Sequence, residues 1–176
     1  AQYEAMGVQP GGPDGQWLQA VELSRYTPVA GSASASWTGP DGTVRPLTVG
    51  TDIILRSATN DGRAAVQNAG LVFAGYGIDA PERNWDDYGD IDVRGKIVIV
   101  MSGEPTAPEV TDRFNGAYAT NYQSGAYKAD EAFRRGAVGI ITLVMAPATD
   151  ANWLRAGQFN SRERTLTPGA ADLEFS

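Results

Sequence analysis

Two unbroken apolar runs, residues 96–101 and 138–144, are separated by a stretch carrying helix signals, and this arrangement leaves few folds open. A strand without polar alternation is covered on both faces, the condition of a strand inside a parallel sheet. Residues 124–135 read as the helix between them. Ser124 stands where an N-cap belongs, and Ala126, Ala129 and Phe133 share a face. Arg134 and Arg135 lie at the negative end of the dipole, and Gly136 closes the element. Two such strands joined by a helix form a parallel pair with a right-handed crossover. Gly139 is expected to permit close packing of helix on sheet.

The other strands read as short and hairpinned. Residues 16–23 follow a Gly- and Pro-rich loop and place Trp17, Val21 and Leu23 on one face of a strand. Residues 32–37 and 43–48 flank Gly39-Pro40-Asp41-Gly42, a turn signal that makes them a hairpin. Pro46 has no N–H to donate, which confines its strand to a sheet edge. Ser32, Ser34 and Ser36 suit an edge strand better than a nucleophile. Residues 51–56, 64–67 and 70–74 are further short strands, with turns at 60–62 and 68–70. The class is therefore mixed α/β with much antiparallel sheet. Residues 1–8 resemble the last turns of a helix closed by Gly7, and residues 171–176 alternate like a strand, so both ends read as cut from a longer protein.

The 176 residues suffice for one ordinary domain, and no apolar stretch approaches the roughly 20 residues that span a bilayer. A formal charge of −7 argues against a nucleic-acid surface. With Lys96 and Lys128 as its only lysines, the chain also suits anionic membranes poorly. It has no cysteine and no histidine. That removes disulfides, thiolate nucleophiles, histidine triads and the usual ligands of catalytic zinc.

Residues 75–80, Gly-Tyr-Gly-Ile-Asp-Ala, spell a G-x-G-x-x-A turn after an apolar run. A dinucleotide turn opens directly into a helix. Here Pro81 to Asp90 has no helical periodicity and carries four acids against one arginine, so the glycines read as bends or close-packing points. The acids from Asp79 to Asp92 raise calcium, with Asp86, Asp87 and Asp90 as its candidate ligands. The spacing is not that of an EF-hand, and loop aspartates commonly bind nearby backbone N–H groups.

Four segments in order carry a more specific resemblance. Val72-Phe73-Ala74-Gly75-Tyr76-Gly77-Ile78 is followed by Trp85-Asp86-Asp87-Tyr88 and then by Asp92-Val93-Arg94-Gly95-Lys96-Ile97-Val98-Ile99-Val100. The last runs from Lys128-Ala129 through Gly136-Ala137 to Gly139-Ile140-Ile141. Together they resemble the protease-associated (PA) domain inserted in zinc aminopeptidases of metallopeptidase family twenty-eight. The flank at Met6-Gly7-Val8-Gln9-Pro10 and Asp14-Gly15-Gln16-Trp17 is similar to the early part of those enzymes' catalytic domain.

The resemblance implies a PA-domain-like β-sandwich or open barrel of short strands, with a parallel β-α-β unit and flanking helix. It implies a flanking segment over 1–50 and the PA domain over 51–176, in a secreted or periplasmic parent enzyme. Zinc would belong to that parent. No zinc ligand maps onto this chain, and its predicted partner is the catalytic domain of the same parent. The matching residues have structural roles: Asp92 and Gly95 start a strand, and Gly136 caps a helix. The preference for Arg over Lys and the absence of an N-x-S/T sequon lean toward a bacterial source.

The segment expected to touch function is 102–123, because long loops in compact domains are usually functional or docked on something. Its candidates for gripping peptide or facing a partner domain are Glu104, Asp112, Arg113, Phe114, Tyr118 and Tyr122. The alternative is that it merely covers the core. Tyr76 and Trp85 read as core residues. Ser124 and Lys128 mimic a Ser-Lys dyad, but capping and surface charge explain them.

Three functions stay open. The first is a non-catalytic accessory domain shaping access to a zinc aminopeptidase, and the second is a stand-alone peptide- or protein-binding module. The third is a carboxylate-pair hydrolase using Glu104, Asp112 or the acids of 79–92.

Overall fold

A computed structural model describes residues 2–57, 63–106, 113–114, 118–144, 150–160 and 162–166. It is a mixed α/β structure of several small sheets and few helices. Among the described residues, three helices, α1 (Gln2–Ala5), α2 (Gly125–Arg134) and α3 (Asp150–Asn160), accompany nine short strands.

The centre is a three-stranded parallel sheet. Strand β7 (Ile97–Met101) lies between β4 (Leu71–Phe73) and β8 (Gly139–Leu143). Leu71 pairs with Ile97 and Ile97 with Gly139, both in parallel register. Helix α2 connects β7 to β8, so the apolar runs and the helix form the expected parallel unit.

Because side chains alternate along a strand, one face of this sheet presents Val98 and Val100, both fully buried, with Val72 and Ile140 beside them. Ala132 of α2, Ala137, Val93, Ala74 and Tyr88 complete that cluster. The opposite face carries Leu71, Phe73, Ile97, Ile99, Met101, Ile141 and Leu143, of which Leu71, Phe73 and Leu143 are exposed. A second cluster joins Ile78, Ala80 and Phe114, with Tyr76, Trp85, Tyr122 and Tyr127 packed against it. Each fully buried Val or Ile contributes about 1.5–3 kcal/mol.

Among the described residues, three two-stranded sheets accompany this centre. Strands β2 (Ala35–Thr38) and β3 (Val44–Leu47) form the expected hairpin, with Ser36 opposite Pro46. Its turn is closed by the Gly42 N–H on the Gly39 carbonyl, and Asp41 binds Arg45 at 3.1 Å. Strands β5 (Asp79–Ala80) and β6 (Trp85–Asp86) pair antiparallel around a 3₁₀ turn at Pro81–Arg83. Strand β1 (Ser24–Tyr26) pairs antiparallel with β9 (Arg164–Leu166), and the Trp153 indole of α3 donates to the Gly50 carbonyl at 3.0 Å.

Several expectations are corrected. Residues 16–23 form no strand; pairing begins at Ser24, beyond the alternating stretch, and Leu18, Val21 and Leu23 are exposed. Residues 51–56 contribute only a bridge between Val49 and Ile53, and 64–67 lie outside the strands. Alternation supplied strand propensity there but no partner edge to satisfy it. The turn at 60–62 and the segment 171–176 lie outside the described residues.

Helix α2 also presents a different face. Lys128, Glu131 and Ala132 are buried, whereas Ala126 is exposed and Ala129 and Phe133 are half-buried. Ser124 occupies the N-cap position, but its side chain makes no capping bond; its carbonyl accepts the Lys128 N–H instead. Gly136 closes the helix at φ 89°, its N–H on the Phe133 carbonyl. A side chain at Gly139 would press on Ile97 of the neighbouring strand, so the close approach there is strand to strand.

Candidate functional site

The chemistry-bearing side chains gather in the loops beyond the carboxyl ends of β4 and β7, the end where ligands of parallel sheets bind. After Phe73 the chain turns sharply. Gly75 and Gly77 have φ of 48° and 68°, and the Gly77 N–H binds the Ala74 carbonyl at 2.7 Å. One carboxylate oxygen of Asp87 accepts the N–H groups of Tyr76 at 3.1 Å and Ile78 at 3.0 Å. The glycine turn is thus an anion-binding nest, but its occupant is the chain's own Asp87. A Cβ on Gly75 would lie 2.4 Å from Asp87 Oδ1, and one on Gly77 would lie 2.7 Å from Val100 Cγ1.

Asp86 accepts the Tyr88 N–H at 2.8 Å. Two of the three carboxylates considered for calcium therefore serve main-chain N–H groups, while Asp90 is exposed. Among the described residues no three His, Cys, Asp or Glu side chains form a group that could hold a metal.

Beside this turn lies Lys128, 1% exposed. Its ammonium donates to the carbonyls of Tyr76 at 2.7 Å, Met101 at 2.9 Å and Gly103 at 2.5 Å, and sits 5.4 Å from the Tyr76 ring centre. Burial pushes its pKa down to about 8, against the opposing pull of Asp87 and Glu104. At neutral pH it is protonated, with all three donors engaged. The surface-charge reading of Lys128 is therefore corrected. Its hydrophobic neighbours give no sign of this in the sequence, because periodicity marks burial of apolar residues only.

The loop candidates divide. Glu104 is buried and accepts the Thr120 N–H at 2.9 Å and the Thr120 hydroxyl. Phe114 is 1% exposed and meets Trp85 and Tyr122 edge-on, at 5.2 and 6.2 Å between ring centres. Tyr122 continues the series to Tyr127 at 5.0 Å. The Tyr122 hydroxyl donates to Glu82 at 2.6 Å; that bond pushes the phenol up to about 12 and holds the Glu82 carboxyl below its ordinary range. Arg83 lies against the rings of Phe114 and Tyr122 and donates to the Arg113 carbonyl, while Arg113 donates to the Asn84 carbonyl at 3.3 Å. Tyr118 is 80% exposed. Asp112 lies outside the described residues.

Sequence reasoning missed a further group behind this loop. Glu131 is buried and accepts from Arg134 and Arg135, and Arg135 reaches Asp79 at 2.5 Å. The Tyr127 hydroxyl donates to the Asp79 carbonyl at 2.8 Å and accepts the Asp79 N–H at 3.1 Å. The visible signal was the acid three and four residues before two arginines on one helix.

No family model, no curated protein and no solved structure matches this chain. Its chemistry is therefore read from the arrangement alone. Lys128, Asp87, Glu104 and Glu131 are each turned inward onto partners in the chain. Of the described loop candidates, Arg113 and Tyr118 are the exposed ones.

Proposed function

We propose that this chain is a non-catalytic accessory domain of the PA type, carried by a zinc aminopeptidase, in which it shapes substrate access or domain contacts. The observation that carries this reading is how the four resembling segments interlock. The glycine turn is held by Asp87, Gly95 donates its N–H to the Gly136 carbonyl at 2.9 Å, and Lys128 binds Tyr76 and the end of β7. Residues far apart in sequence are thus used on one another, as a shared domain framework requires. An inserted domain also leaves its host where it entered, and the pairing of β1 with β9 brings residues 24–26 beside 164–166.

On this reading the parent's zinc, its histidine and carboxylate ligands and its peptide-bond hydrolysis lie outside these residues, in a secreted or periplasmic and bacterial setting. The loop beginning at Ser102 would face the parent's cleft with Arg113 and Tyr118. The deciding experiment is the intact mass of the natural protein, with its coding sequence read outward from Ala1 and Ser176. A much larger chain bearing a histidine- and carboxylate-rich half is expected. A natural chain ending near Ser176 would overturn the reading.

The outward position of Arg113 and Tyr118 favours one second reading, a peptide- or protein-binding module without a catalytic partner. Nothing comparable favours the carboxylate-pair hydrolase. Its general acid needs a raised carboxyl pKa, whereas Glu82, one of the acids of 79–92, is held below its ordinary range.

A further inference from the structure

We propose that Lys128 is a tethered-cation latch: its three N–H donors, each on a main-chain carbonyl, hold the stem of the 102–123 loop closed, and the stem opens as a unit when those donors are lost. The carbonyls come from the turn after β4, from the last residue of β7 and from Gly103, where the chain has left the sheet at φ 78°. An ammonium has three donors, and here three acceptors use them all. At that sheet edge the Ser102 N–H donates to the Leu143 carbonyl at 2.8 Å. Beyond it the next residue is held by Lys128, and the one after that is Glu104, buried and fixed to Thr120.

Thr120 in turn accepts the Tyr122 N–H at 3.2 Å, at the 3₁₀ turn that leads into α2. The start of the loop, 103–104, is thereby closed against its end, 120–128, by the side chains of Glu104 and Lys128. Asp87, just after β6, and Glu104 from the loop are the charged groups opposing the burial of the ammonium, and the Tyr76 ring lies beside it. An alkyl chain of the same length would fill the space and leave three carbonyls without donors. The latch is a property of the loop stem and does not depend on what the loop faces.

The chain has no cysteine, so Lys128→Cys supplies a single thiol. Alkylating it in the unfolded chain with 2-bromoethylamine displaces bromide and builds a thioether ending in an ammonium. Alkylation with 1-bromopropane builds one of equal length without donors. After refolding, native-state hydrogen exchange at pH 7 is read at Thr120 and Tyr122, and at Ala74 and Ile97, whose N–H groups bind the Ile99 and Gly70 carbonyls. The aminoethyl form is expected to match the unmodified chain. The propyl form is expected to exchange at least about tenfold faster at Thr120 and Tyr122 together, with Ala74 and Ile97 unchanged.

Wild-type protection of Thr120 in the propyl form would overturn the latch, as would an equal loss at all four amides. If the propyl form does not refold, the unmodified chain decides. Lys128 ammonium protons exchanging at the opening rate of Thr120 support the latch, and faster, independent exchange overturns it.

Discussion

At the scale of single residues, the strongest demands fall on positions where backbone and neighbours leave no room. Gly77 combines a positive φ with a Cβ position 2.7 Å from Val100 Cγ1. Gly77→Ala is expected to cost about 2–4 kcal/mol, the sum of left-handed strain and overpacking, read as a lower urea midpoint. Gly136→Val is expected to cost about 1–2 kcal/mol, because Gly136 ends α2 at φ 89°; an unchanged midpoint would reject the cap.

Tyr88 behaves in the opposite way. Its hydroxyl is buried with no hydrogen-bond partner among the described residues, while its ring lies 4.4 Å from the Arg135 guanidinium. Tyr88→Phe keeps the ring and removes the unpaired group, so stability at pH 7 is expected to be unchanged or to rise by up to about 1 kcal/mol.

The tyrosines also set the alkaline limit. Burial raises Tyr88 and Tyr127 above the ordinary 10.0, and the Glu82 bond raises Tyr122 to about 12. The unfolded chain loses these protons near pH 10, whereas the folded chain keeps them. Their contribution is therefore full below pH 10 and is lost as pH rises through 10 to 12 and beyond. Urea midpoints are expected to fall over that range, and less steeply in Tyr88→Phe.

At the scale of elements, α3 was given by no reading of the sequence, whereas α2 is the helix that matters most to the site. Its limits, its closing glycine and its place between two parallel strands were legible in the sequence. Its buried face was not, because Lys128 and Glu131 are long polar residues that apolar periodicity assigns to solvent. Each is buried because specific partners await it, three carbonyls for one and two guanidinium groups for the other. Glu131→Leu leaves Arg135 only Asp79 in this cluster and is expected to cost about 1–3 kcal/mol, measured by urea unfolding at low salt.

The strands show the reverse failure. The alternation at 16–23 was clear, but alternation states which side chains would face together, not whether an edge is present to pair with. In the loop 102–123, composition shows an aromatic and charged segment. That Phe114 and Glu104 turn inward while Tyr118 turns out depends on Trp85, Tyr122 and Thr120, which no local spacing reveals.

At the scale of the whole molecule, the fully buried hydrophobic residues of the described structure all lie between Ala74 and Ala137. Among the side chains described in residues 2–57 and 150–166 none joins them, and many of the large apolar ones are exposed. Residues 63–144 produced alone are therefore expected to unfold in one cooperative transition, with the fluorescence of Trp85 as probe; gradual loss of signal would show that the flanks share the core.

The pairing of β1 with β9 has a mechanical consequence. Ser24 and Leu166 form the outer pair of that ribbon and Tyr26 and Arg164 the inner one. Tension pulling the two chain ends apart would load its hydrogen bonds one pair after another, as a zipper is opened, rather than all at once in shear. Such a ribbon is a mechanical fuse: it would open at low force and let the core swing away intact, before any strain reached the three-stranded sheet.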